Sequence, residues 1–146
     1  MNTDKTQFEG KHSQLCSVIL GIYYAVYNEL GSGFLESVYH VALESALLEA
    51  GLRVVSQAPI PVYFRGRIIA EFKADLMIEG KVLLELKAVQ ALDRSHYAQV
   101  LNYLKSTPVE VAFLLNFGAR PEFKRFLLDN EQKKIRVHPC ESVVSF

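Results

Sequence analysis

The sequence predicts an α/β domain in which a mixed β-sheet is flanked by helices, and three observations lead there. Apolar residues recur every three or four positions up to Gly51, then every second position from Arg53. A helical pattern returns near Asp93, and a nearly continuous apolar run, Val109 to Phe117, comes after it. A switch of period from 3.6 to 2 marks the passage from helix to half-buried strand, and an unbroken apolar strand is one covered on both faces.

Leu15, Val18, Ile19, Ile22, Tyr23, Val26 and Leu30 make the first amphipathic helix, which Gly31-Ser32-Gly33 interrupts. Leu35 to Ala50 carries the second, with Gly51 placed where a helix C′ glycine belongs. Arg53–Gln57 and Ile60–Arg65 read as two short strands, and Pro59 and Pro61 assign them to a sheet edge. Arg65-Gly66-Arg67 is the next turn. From Ile68 to Ile78 every even position is apolar, and Val82, Leu84, Leu86 and Ala88 repeat the scheme after Glu79-Gly80-Lys81. The helix from about Asp93 to Ser106 stops at Thr107-Pro108. In the tail, Phe123–Leu128 and Lys133–His138 fit two further strands, or a short helix and a strand.

The 146 residues suit one domain spanning 1–146, with 50% apolar residues to build its core. Lys+Arg and Asp+Glu are 16 each, which excludes a tail-like polycation held to nucleic acid by net charge. The balance is uneven along the chain, with 2 basic and 6 acidic residues up to Ala50 and 14 and 10 thereafter. Cys16 and Cys140 lack any CxxC or zinc-type spacing, so they read as reduced thiols. No apolar run reaches the roughly 18 residues of a membrane span, and the first residues lack a signal-peptide core. A cytoplasmic location without membrane attachment is expected.

Loop length fixes which side chains meet. A three-residue loop pairs Ile78 with Val82, Leu76 with Leu84 and Ala74 with Leu86, so the apolar faces coincide; a two-residue loop sets apolar residues opposite polar ones. The favoured register places Asp75 across from Glu85, with Lys87 two residues on. Opposite Cβ atoms lie about 4.5–5.5 Å apart, so the two carboxylates repel, and a shared proton, a neighbouring lysine or a divalent ion would relieve them. A solvated strand face with compensating lysines is the competing explanation.

Asp75 followed across a hairpin by Glu85-Leu86-Lys87, after one helix and before another, resembles the PD-(D/E)XK nuclease superfamily. Gly33-Phe34-Leu35-Glu36-Ser37-Val38-Tyr39 is similar to the signature of its GxxExxY family, and Gln99-Val100-Leu101-Asn102-Tyr103 to the QxxxY motif of its RecB-type branch. Ala74 stands where the superfamily's name has proline. The resemblance implies a restriction-endonuclease-like core of order ααβββ(β)αβ with C-terminal strands, and a nuclease acting on DNA or RNA. It implies that Glu36, Asp75, Glu85 and the Leu86 carbonyl hold Mg²⁺ or Mn²⁺, that Lys87 orients or deprotonates water, and that Gln99 and Tyr103, with His96, line the site. A homodimer or larger assembly would enlarge the substrate surface. A non-catalytic module of the same fold, binding nucleic acid or a protein partner, is the alternative. Tyr39 is expected to be packed with its hydroxyl on a polar neighbour, His40 to be an ordinary surface histidine, and Gln57 to approach the site from the next strand.

Overall fold

The computed structural model describes residues 8–133. Two helices come first, α1 (Ser13–Leu30) and α2 (Glu36–Glu49), then three strands, β1 (Val54–Phe64), β2 (Arg67–Ile78) and β3 (Val82–Lys87). Helix α3 (Arg94–Lys105) leads to β4 (Val111–Phe117) and β5 (Pro121–Leu127). The strands form one sheet in the order β1-β2-β3-β4-β5. It is mixed: β3 and β4 run parallel, joined through α3, and the other neighbours are antiparallel. Among the described residues no helix is long and apolar enough to cross a membrane.

The two strands expected before Arg65 are one. Pro59 and Pro61 lie inside β1, at the sheet edge. Both occupy odd positions, so both nitrogens that lack hydrogen face away from β2 and the ladder loses nothing. The first of the ambiguous tail segments is strand β5, paired along its length with β4. The second, 133–138, lies almost wholly outside the described residues, as does Cys140; Cys16 is buried and free.

Two cores cover the sheet. Cys16, Ile19, Leu20 and Tyr23 of α1 and Tyr39, Leu43 and Leu47 of α2 pack on Leu76, Ile78, Val82, Leu84, Leu86 and the odd residues of β4. On the other face Val100, Tyr103 and Leu104 of α3 pack on Leu83, Ala112 and Leu114. Strand β4 is buried throughout, as an apolar run between two layers requires.

Strand β2 departs from simple alternation. Leu76 and Ile78 belong to the α1/α2 core, but Ala74, also even, packs with Ile60 in the α3 core. The change of side falls at Asp75. Opposite it, Gln57 has φ 56, and the pair Gln57/Asp75 is missing from an otherwise continuous register between Val54↔Ile78 and Val62↔Ala70. A single left-handed residue reverses the facing of the residues beyond it, which side-chain pattern does not reveal.

Candidate active site

The hairpin register is the expected one over Leu76↔Leu84, Met77↔Leu83 and Ile78↔Val82, but the pairs expected next, Asp75 with Glu85 and Ala74 with Leu86, do not form in the ladder, and Ala74 and Leu86 pack in opposite cores. Beyond Leu76 the β2–β3 ladder ends and the strands part. The Asp75 carboxylate fills the gap, its Oδ2 accepting from the Leu86 N–H at 2.7 Å. Glu85 Oε1 in turn accepts from the Asp75 N–H, at 3.4 Å. Each acidic side chain thus holds the other's strand.

Glu85 is only 6% exposed, and its carboxyl is pushed up to about 8, first by burial and then by the charge of Asp75. Burial also raises Asp75, against the Leu86 N–H, which lowers it. Glu36, exposed as the first residue of α2, is raised by partial desolvation and next by Asp75. The half-buried Lys87 follows on β3, and its charge counters all three acids.

Glu36, His40, Gln57 and Asp75 line a cleft of about 430 Å³ on the α2 side. Across the strands, Gln99 and Tyr103 line a second, of about 290 Å³, with Phe72 and Ser95. Gln99 Nε2 donates to the Tyr103 hydroxyl at 2.9 Å. Burial raises that hydroxyl to about 12, and Glu85 and Asp75 add to the rise.

The loop before α2 is built on Tyr39. Its buried hydroxyl donates to the Gly31 carbonyl at 2.5 Å and accepts from the Phe34 N–H at 3.2 Å, while its ring stacks on Phe117 at 4.3 Å. This is the packed role expected of it, and it fixes the point from which Glu36 enters the cleft.

Other residues find different places. His96 belongs to the cap of α3, with Nδ1 accepting from the Asp93 N–H at 3.0 Å and the Asp93 side chain accepting from the Ser95 N–H at 2.9 Å. His40 is not a plain surface histidine: it is half-buried, and its Nε2 lies 2.8 Å from Ser56 Oγ in the Asp75 cleft. Arg125 donates to the Glu9 and Lys11 carbonyls and Lys133 to those of Thr107 and Val109. These two cations are structural ties. The role of the Leu86 N–H as anchor for Asp75 was hidden in sequence, because only the splay of the strands frees that donor.

Among the described residues no three His, Cys, Asp or Glu side chains already converge on one point as an ion-binding set. The donor chemistry nevertheless suits a hard divalent cation. Carboxylate oxygens are crowded against like charge, and Glu85 holds its proton well above the ordinary range, a strain that such an ion relieves.

A helix-flanked mixed sheet with acids and a lysine where two of its strands part defines a nuclease-like α/β domain. The chain belongs to the PD-(D/E)XK nuclease superfamily, whose family model matches residues 13–126. Among solved structures it is similar to SSO0001, at TM-score 0.52 and 20% identity, over 91% of this chain and 66% of that one. The chain thus spans just under two thirds of that protein's length, and the likeness is one of fold. An alkaline exonuclease, LHK-Exo, from Laribacter hongkongensis is similar at TM-score 0.40 and 11% identity, over 97% of this chain and 80% of that one. No curated protein sequence matches.

Proposed function

We propose that this chain is a nuclease of the GxxExxY type, related to the RecB-type QxxxY branch, that hydrolyses nucleic-acid phosphodiesters with Mg²⁺ or Mn²⁺ in a single domain. The observation that carries the reading is the pairing of Asp75 and Glu85 across the splayed strands, with Lys87 countering both charges. Asp75, Glu85 and the Leu86 carbonyl would hold the cation, and Glu36 would complete the set from α2. When bound, the ion supplies a nucleophile at neutral pH and neutralises charge growing on the phosphoryl oxygens.

The chain's own groups do the rest. Lys87 orients the attacking water by hydrogen bonding and sets a positive charge beside the phosphate. The Leu86 N–H fixes the Asp75 carboxylate, so the geometry is present before substrate arrives. Gln99 and Tyr103 steady each other and face the substrate from α3.

Incubation with DNA and RNA in Mg²⁺ or Mn²⁺ tests this. Cleavage by the wild type and none by Asp75→Ala is expected; equal cleavage by both overturns the assignment. The divalent ion should also raise the melting temperature of the wild type. No thermal response together with no cleavage would favour a non-catalytic binding module.

A further inference from the structure

We propose that the exposed tip of the β1–β2 hairpin, Phe64–Ile69, is an arm that grips duplex DNA away from the site of cleavage. The inference rests on the nuclease reading and adds to it a substrate class, double-stranded DNA, and the residues that would contact it.

The ribbon changes character along its length. Its base is anchored, with Ala58, Ile60, Val62 and Ala74 buried. Every residue from Phe64 to Ile69 is exposed, including three large apolar ones, Phe64 at 55%, Ile68 at 58% and Ile69 at 62%. Arg65 and Arg67 stand among them, and from Phe64 to Lys73 the charges are Arg65, Arg67 and Lys73 against Glu71 alone. Arg65 lies over the Phe64 ring at 5.0 Å.

The backbone adds an independent observation. Phe64 pairs with Arg67, so Arg65-Gly66 is a two-residue turn, and both residues have positive φ, 52 and 79. Such a turn favours Asn, Asp or Gly in the first position. Arg65 holds the left-handed conformation without help from its residue type, as Glu79 does before Gly80 in the next hairpin, and the tight turn presents the Arg65 side chain at the tip of the ribbon. The register also slips between Val62 and Tyr63, leaving Ile69 as the extra residue of a bulge, a device that re-aims side chains.

The chemistry fits a polyanion with grooves. A two-stranded ribbon enters the major groove of B-DNA, and arginines beside apolar wedges are what minor-groove binders use to grip and unstack base steps. Arg65 and Arg67, with no acid between Phe64 and Ile69, match phosphate. The arm and Asp75 share β2, so their spacing is fixed: eight residues from Arg67 to Asp75 reach about 26 Å, or about 8 base pairs, along a strand.

The test compares wild type with Arg65→Asn/Arg67→Ser and, separately, Ile68→Ser/Ile69→Ser. Fluorescence anisotropy is read on duplex and single-stranded oligonucleotides in EDTA, from 50 to 200 mM salt. Asn-Gly is the favoured pair for this turn, so the first variant keeps its hairpin, and equal melting temperatures verify it. Expected for that variant are an about tenfold or greater loss of duplex affinity and a salt slope smaller by about 1.8, two phosphate contacts' worth. Expected for the isoleucine variant is weaker duplex binding with the salt slope unchanged.

Unaltered duplex affinity and slope would overturn the proposal, as would an equal loss on single strands. A change of oligomeric state in sedimentation with duplex affinity intact would overturn it in favour of a contact between copies. Binding without divalent ion does not depend on hydrolysis. Absence of cleavage by the wild type would therefore sink the nuclease reading alone, and failure of the arm would leave that reading standing.

Discussion

Asn116 and Glu85 are both buried polar residues on neighbouring strands, at 1% and 6% exposure, yet their surroundings are opposite. Asn116 is saturated. Its Oδ1 accepts from the Val89 N–H at 3.0 Å, its Nδ2 donates to the Val89 carbonyl at 2.9 Å, and its own carbonyl accepts from the Tyr23 hydroxyl. The chain beyond it is equally tight, since a Cβ on Gly118 would meet the Val89 oxygen at 2.3 Å. Glu85 has one long contact at 3.4 Å and a like charge beside it. A satisfied buried group holds the fold together; one left short of partners costs stability and is kept for something else.

The widest separation of these two roles comes from Asp75→Asn. The amide oxygen still accepts from the Leu86 N–H, so the fold persists, while divalent-dependent cleavage should fall on the order of 10³-fold, the scale of losing one preorganised group at an active centre. Asn116→Ala should do the reverse to stability, costing about 3 kcal/mol in denaturant unfolding because the Val89 N–H and carbonyl both lose their partner. If Asn116→Ala proved harmless, the contrast would collapse.

Glu85→Gln sharpens it further. A carboxyl raised from its ordinary range to about 8 gives the metal-free protein stability that is complete below the unfolded-state value and is lost as pH rises through about 8. The wild type should therefore lose melting temperature between about pH 5 and 8, and Glu85→Gln should flatten that decline. At neutral pH the variant should be more stable by about 3 kcal/mol, and inactive. A pH profile identical to wild type would show that Glu85 does not carry the penalty. The smallest effect belongs to Tyr103→Phe, which deprives Gln99 of its acceptor; about 1 kcal/mol of stability and a severalfold fall in cleavage are expected.

Much of this was legible in the residues. The matching alternation of Leu76, Ile78, Val82 and Leu84 permits one loop length, and that register alone brings Asp75 to Glu85. Tyr39 could be read as packed with a tethered hydroxyl because it falls on an apolar helical stripe. The change of side at Asp75 was not legible, since it depends on one backbone dihedral at Gln57 and leaves the periodicity of β2 untouched. The uninterrupted β1 was missed because proline weighs against a strand unless its nitrogen is known to face outward. Asn116 and Val89 meet over 27 residues of intervening chain, a distance at which pattern carries no signal.

The hydrogen bond from Leu86 to Asp75 makes one backbone amide a resident gauge of the centre. Its proton points at a carboxylate oxygen 2.7 Å from the nitrogen, not at a ladder carbonyl, so its magnetic resonance frequency should follow the charge on Asp75. Titrating pH, adding divalent ion and adding nucleic acid should each move that single resonance by a characteristic amount, reporting occupancy of the centre in a protein that need not turn over.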